Sequence, residues 1–342
     1  MRSGFKGKIA MLRISITAFV AFFTFLGPVV AQPDHVSVAL GDVSLQKVPF
    51  LIAADAGIYA KNGLEVHQFI TPNAAKVAQS RGIVVPAEYI GTPGEEAPIS
   101  AGGGAPLVYQ AIQPGAKPHR IIVATNENIV RDHIVARADI RTEQDLKGKT
   151  FATGHHDVPD YAGQAYLQRL GLENDVTTVR GATLDELKAG KVDAMLANLY
   201  VIIQARQQGM NDLVDLAKYN IPEAGSGISV EPDFIKAHRD IVARFVKSSV
   251  EATALMKSDK KVFAAALAKW FGINDPKLVD RLFALGQDFP DKPYPAADGI
   301  AAALKLWSSP GTVQAKAEDF YDPSFIAALD KDGTFSRLSK AK

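Results

Sequence analysis

Three observations predict an α/β protein of two similar lobes, each a mixed, mainly parallel sheet flanked by helices. Strands and helices alternate through residues 36–209, at spacings that suit parallel strands with crossover helices. Two segments, "PGEEAPIS" (93–100) and "AGKVDAML" (189–196), each place glycine before a charged residue and then an apolar strand, as two versions of one unit would. From about residue 234 the pattern is mainly helical to the end, with "RDIVARFVKSSVEATALMK" (239–257) the longest periodic run.

The elements follow in order. "VSVAL" (36–40) alternates as a strand, and "VPFLIAADAGIYAKNG" (48–63) reads as one helix, with Pro49 in the first turn and Gly63 as a left-handed cap. "LEVHQF" is a second strand. An irregular stretch rich in proline and glycine follows, then "GGGAPLVYQAI" (102–112), a glycine turn opening a helix, and the strand "RIIVATN" (120–126). A second series starts near "DHIVARADI" (132–140), with a short helix capped by Thr142 and Asp145. It continues through the strand "KTFATG" (149–154), a helix over 161–171, and the strand "TTVRG" (177–181). A capping box of Thr183 and Glu186, the strand "VDAML" (192–196) and a helix over 200–209 complete it. The expected division is residues 32–131 for the first part of lobe I and 132–233 for lobe II. Residues 234–342 form a helical part that mostly returns to lobe I.

The first 31 residues are expected to be a signal peptide. Arg2, Lys6, Lys8 and Arg13 make a basic start, Ile14 to Leu26 an apolar run, and Val29-Val30-Ala31 a small-residue cleavage site. That run, closed by Gly27-Pro28, is shorter than the roughly 20 residues of a membrane span. The formal charge of +1, with both signs interspersed, gives no basic stripe for nucleic acid. The chain has no cysteine, hence no disulfide, no thiolate metal site, no cysteine nucleophile and no lipoprotein anchor.

"VPFLIAADAGIYAKNGLEV", the "GGGAPLVYQAI" turn, "DLKGKTFATG", "AGKVDAML" and the closing "FYDPSFIAALDKDGTF" (320–335) stand in an order that resembles the periplasmic solute-binding proteins of ABC importers. The resemblance is to their nitrate/sulfonate/taurine or NMT1/THI5-like group. Pro98 departs from that group, which usually has an aspartate near this place, and Lys76 to Thr92 is longer and less helical than its pattern. The resemblance implies a type II periplasmic binding protein fold, joined by two crossings of the chain and closing around a small solute. It further implies a periplasmic, monomeric receptor without catalysis or cofactor, which docks on a membrane permease.

Open α/β sheets bind at the carboxyl ends of strands and at helix N-termini, so four stretches are expected to line the cleft. The first supplies Ser44, Gln46 and Phe50, the second Gly103, Gly104, Ala105 and Tyr109. From "GHHDVPDY" come His155, His156, Asp157, Asp160 and Tyr161, and from the last stretch Asn198 and Tyr200. Ser226, between Gly225 and Gly227, is expected to be a hinge or cleft residue. "GHHDVPDY" admits three readings: a ligand-facing loop, a metal site of His155, His156 and Asp157, or helix capping by Asp157 or Asp160. Adjacent histidines and Pro159 do not fit a helical zinc motif. "GGGAP" lacks the lysine of a nucleotide loop and suits close backbone approach to a ligand. Asp157, Asp160, Glu95 and Glu96 would oppose an anion, while Phe50, Tyr109, Tyr161 and Tyr200 offer rings to flat or cationic solutes. For each ring, core packing is the ordinary alternative, and Arg131, Arg137 and Arg180 read as solvated surface. The expected ligand is thus sulfonate-like or pyrimidine/amine-like. The alternatives are a metal-ion receptor and an enzyme related to thiamine-pyrimidine synthesis.

Overall fold

The computed structural model describes residues 32–80, 83–116, 119–154, 157–197 and 199–340, together with Met1 and Gly4. The expected signal peptide lies outside the described residues. Among the described residues, no helix is long and apolar enough to cross a membrane.

Among the described residues, ten strands form two five-stranded sheets. The first contains β1 (Asp34–Leu40), β2 (Leu64–Ile70), β3 (Ile99–Gly103), β4 (Ile121–Thr125) and β10 (Ser226–Val230), in the order β2-β1-β3-β10-β4. The second contains β5 (His133–Ala136), β6 (Thr150–Thr153), β7 (Thr177–Arg180), β8 (Ala194–Ala197) and β9 (Asn211–Asp215), in the order β7-β6-β8-β5-β9. The two orders are equivalent. β3 and β8, which end the two similar sequence segments, occupy the same central place in their sheets.

Each sheet has one strand running against the rest: β10 is antiparallel to β3 and β4, and β5 to β8 and β9. Both arrive from the other lobe. They enter at the edge where the parallel strands end, so Asp132 and Gly225, just before them, stand at the carboxyl edges of the sheets. Ser226–Val230 is therefore back in the first sheet, earlier than the expected boundary at residue 233.

The crossings, residues 126–132 and 216–225, run side by side as a short antiparallel ribbon. Val130 N–H donates to Ile221 O at 3.0 Å, Glu223 N–H to Asn128 O at 3.0 Å, and Asn126 N–H to Ser226 O at 2.8 Å. Such a ribbon holds the ends of both sheets in register while leaving few other bonds to resist rotation about it.

Helix Val48–Asp55 and helix Arg239–Ser258 form the main core on the first sheet, where the rings of Phe50 and Phe245 are parallel at 6.0 Å. A second core joins the lobes, with Ala105, Val108, Tyr161, Tyr166, Ile300 and Leu304 among its buried members. The helical part after β10 thus packs on the first lobe and, through helix Ala297–Trp307, also between the lobes.

Two element expectations are corrected. The helix expected over 48–63 breaks at Gly57, whose φ of 67° is left-handed, and resumes as a short helix over Ile58–Lys61. The helix expected from residue 161 starts at Val158, because Pro159 sits in the first turn, where a missing N–H interrupts nothing. The irregular stretch after β2 also contains a helix, Pro72–Ser80.

Candidate functional site

The carboxyl edge of the first sheet gathers a polar cluster that few globular cores tolerate. Lys47, at the start of helix Val48–Asp55, is fully buried. Its Nζ lies 2.6 Å from Asp42 Oδ2 and donates to Ser226 Oγ at 2.5 Å. Asp42 follows β1 and Ser226 opens β10, so one ammonium ties the ends of two strands, with Ser226 lying 179 positions beyond Lys47 itself. Burial of a charge is tolerated when it is paired and hydrogen-bonded, as here.

Beside it stand two glutamates, one on each crossing. Glu127 follows β4, is partly buried, and accepts a hydrogen bond from the Gln46 side chain. Glu223 is 1% exposed, and its Oε1 has no hydrogen-bond donor. Burial is the main cause that pushes Glu127 up to about 7, with Asp132 adding to the shift while Arg131, Gln46 and Lys47 oppose it. Burial likewise holds Glu223 well above the usual carboxylate range, followed by repulsion from Glu127 and Asp132. Close approach is made possible by glycine: a Cβ at Gly225 would stand 2.5 Å from Glu127 O, and one at Gly299 would stand 2.0 Å from the Glu223 carbonyl carbon.

The expected cleft residues fall into distinct groups. Ser44, Gln46 and Ser226 come together with the cluster: Gln46 O accepts from Asn126 Nδ2 at 3.1 Å, and Ser44 O accepts from Lys47 N–H at 3.1 Å. Phe50 does not. It is fully buried in the main core, so the ring is a packing residue. Tyr161 is 1% exposed, its hydroxyl donates to Pro222 O, and its ring meets Trp307 edge-on at 5.9 Å. Tyr109 meets the same indole at 5.4 Å. These two rings pack the joint between lobes, which is the ordinary alternative weighed for them. His155, His156 and Asn198 lie outside the described residues. Tyr200 falls in helix Leu199–Gln207.

Gly103, Gly104 and Ala105 do allow close backbone approach, but to the chain itself. Gly104 N–H donates to Gly225 O at 2.9 Å and Ala105 N–H to Ala224 O at 2.7 Å, and a Cβ on Gly103 would lie 3.1 Å from a Val158 methyl of the second lobe. The second lobe's helix N-terminus is closed as well. Asp157 is the N-cap, accepting from Asp160 N–H at 3.0 Å, while buried Asp160 accepts from Thr153 Oγ1 at 3.0 Å and lies 3.7 Å from Arg180. At both helix ends expected to face the ligand, the N–H groups of Gly104, Ala105 and Asp160 are thus already bound to protein acceptors. Two substitutions test these roles: Asp157→Ala is expected to lower stability by about 1 kcal/mol through loss of the cap. Tyr161→Phe should lower it by a similar amount, ~1 kcal/mol, for the lost hydroxyl bond. Urea unfolding would read both, and an unchanged midpoint would remove the assigned role.

Lys47, Glu127 and Glu223 were not among the expected residues. Lys47 lies inside an expected stretch, but nothing local marks it as buried. "NEN" (126–128) and "PEAG" (222–225) read as solvated loops, and only the pairing of the crossings brings their glutamates together. Among the described residues, no group of three histidine or acidic side chains could hold a metal ion.

Residues 101–261 match the family model described as NMT1/THI5 like. A Brachyspira hyodysenteriae protein named for ABC transporter periplasmic binding proteins is 25% identical over 133 residues, 38% of this chain and 38% of that protein. The match therefore spans well under half of the relative's length. The fold is that of the periplasmic sulfonate-binding protein SsuA of Methylobacillus flagellatus KT, with a TM-score of 0.65, 16% identity, and coverage of 89% of this chain and 96% of that one. The desulfurization enzyme DSZB shares it at a TM-score of 0.50 and 14% identity, over 87% of this chain and 99% of its own. The chain is thus a two-lobed α/β protein of the periplasmic binding protein fold. Its residues 101–261 are an NMT1/THI5-like segment.

Proposed function

We propose that the protein is the substrate-binding component of an ABC importer, capturing one small organic solute between its lobes and delivering it to a membrane permease. The observation that carries this reading is the pair of sheets whose carboxyl edges face each other across two adjoining crossings, with a buried polar cluster at the joint. A solute touching both edges stabilises the closed arrangement through contacts made only there. The NMT1/THI5-like segment and the relatives named for ABC transport and sulfonate binding support the same class.

The reading includes export, supported by the basic start, apolar run and small-residue site of the first 31 residues. It also includes a monomeric receptor without catalysis, although DSZB carries an enzyme on the same fold. The metal-receptor alternative depends on His155 and His156, outside the described residues, and no geometric observation favours it.

Thermal unfolding in the presence of small solutes tests the proposal. A solute at 100 times its dissociation constant is expected to stabilise the protein by about 2.7 kcal/mol, and to reduce the radius of gyration if the free lobes open. Response to zinc alone would replace this reading with the metal receptor. Failure of every organic solute to shift unfolding would remove it.

A further inference from the structure

We infer that the solute carries a protonated nitrogen, an ammonium or amidinium, which the carboxyl groups of Glu127 and Glu223 receive where the two crossings meet. The inference rests on the receptor reading and adds the ligand's charge and the residues that select it.

The strongest observation is the state of Glu223. A carboxylate is an acceptor only, and a buried acceptor without a donor is disfavoured by roughly the full desolvation penalty of the group. Glu223 is 1% exposed with Oε1 unbonded, and repulsion from Glu127 and Asp132 outweighs the opposing attraction of Arg131. The basic groups close enough to act on the pair are committed elsewhere. Arg131 Nη1 lies 3.2 Å from Asp288 Oδ2, and Lys47 is held by Asp42 and Ser226. What the pair lacks is therefore positive charge with N–H donors attached. An organic cation supplies both; a proton supplies only one.

The remainder of the joint agrees in sign. An anion would need free N–H groups at the helix ends, but those of Gly104, Ala105 and Asp160 are bound to Gly225 O, Ala224 O and Asp157 Oδ1. It would also have to approach Asp132, Asp157, Asp160, Glu127 and Glu223. The position of the pair suits a receptor, because one glutamate lies on each crossing and the two crossings pair where the lobes join.

Isothermal titration of the purified protein at pH 8 tests this with benzylamine, 1,4-diaminobutane and agmatine as cations, and ethanesulfonate and nitrate as anions. At least one cation is expected to bind and neither anion to do so. Glu127→Gln and Glu223→Gln, which keep the side-chain shape, should each weaken cation binding at least 30-fold, since one partner of a buried charge pair is lost. Melting curves would confirm that both variants fold. The cation favours ionised carboxyls and burial favours protonated ones, so affinity is expected to fall as pH drops below about 7, where Glu127 takes up its proton, with proton release on binding visible between buffers of different ionisation heat. Cation binding that survives both substitutions would overturn the inference. Binding of ethanesulfonate or nitrate with the cations inert would overturn it while leaving the receptor reading intact. Binding of neither class would overturn the inference, and the receptor reading would then stand or fall on thermal unfolding with neutral solutes.

Discussion

Asp42→Asn is expected to lower the free energy of unfolding by about 3 kcal/mol, because it strands the Lys47 ammonium in the interior. Removing one partner of a buried ion pair typically costs 3–5 kcal/mol. The lower end applies here, since the Asp42 side chain is 44% exposed while that of Lys47 is 0% exposed. Ser226 Oγ remains as an acceptor but carries no charge to offset the ammonium. The double replacement Lys47→Met with Asp42→Asn should recover much of the loss, since two apolar or neutral groups of similar shape leave nothing unpaired. Urea denaturation reads all three variants. A single variant within 0.5 kcal/mol of the parent would show that the Lys47 head group finds its compensation elsewhere.

Stability is expected to fall as pH rises from about 4.5 to about 7, opposite to the trend of proteins held by low-pKa carboxylates. The sign follows from proton counts. In that window the unfolded chain has already released the Glu127 proton, whereas the folded chain, with Glu127 pushed up to about 7, still holds it. The folded state therefore binds more protons, and each pH unit removes roughly 1.4 kcal/mol until the folded group also ionises. Above pH 7 the penalty is constant, on the order of 3 kcal/mol for this group, and Glu223 acts in the same direction. Glu127→Gln should flatten the profile and raise stability at pH 8. Parallel profiles for parent and variant, followed by thermal unfolding from pH 4 to 8, would show that this carboxyl ionises freely. Under the proposed cation site, the same substitution is expected to weaken cation binding at least 30-fold while it stabilises the fold.

Much of the architecture was legible because period and punctuation are local properties. β1, β2, β4, β6 and β7 fall within two residues of their expected places, and the capping boxes at Thr142 and Thr183 are formed, with Asp145 and Glu186 accepting from their backbone N–H groups at 2.8 and 3.0 Å. The resemblance between residues 93–100 and 189–196 reflects a true equivalence of position in two sheets. Helix Val48–Asp55 was read too long because its apolar pattern continues through Gly57, and only the backbone angle there reveals the break.

The site was legible only in part. Gln46 and Ser226 were expected from their place after a strand and between glycines, and both meet the buried cluster. Phe50, Tyr109 and Tyr161 were read as candidate stacking rings, yet an aromatic beside a cleft and an aromatic in a core look alike in sequence. Their ring contacts with Phe245 and Trp307, which lie between 146 and 198 positions away along the chain, belong to the tertiary structure.

The sequence by itself determined the succession of strands and helices, the twofold division of the chain and the acidic balance near the cleft, since these depend on neighbours within a few residues. Tertiary structure alone decided where charge is left uncompensated. Glu127 and Glu223 are 96 positions apart, and each is an ordinary loop glutamate until the crossings pair, burying Glu223 and partly burying Glu127. Desolvation is a property of everything that surrounds a group, so no window of sequence contains it.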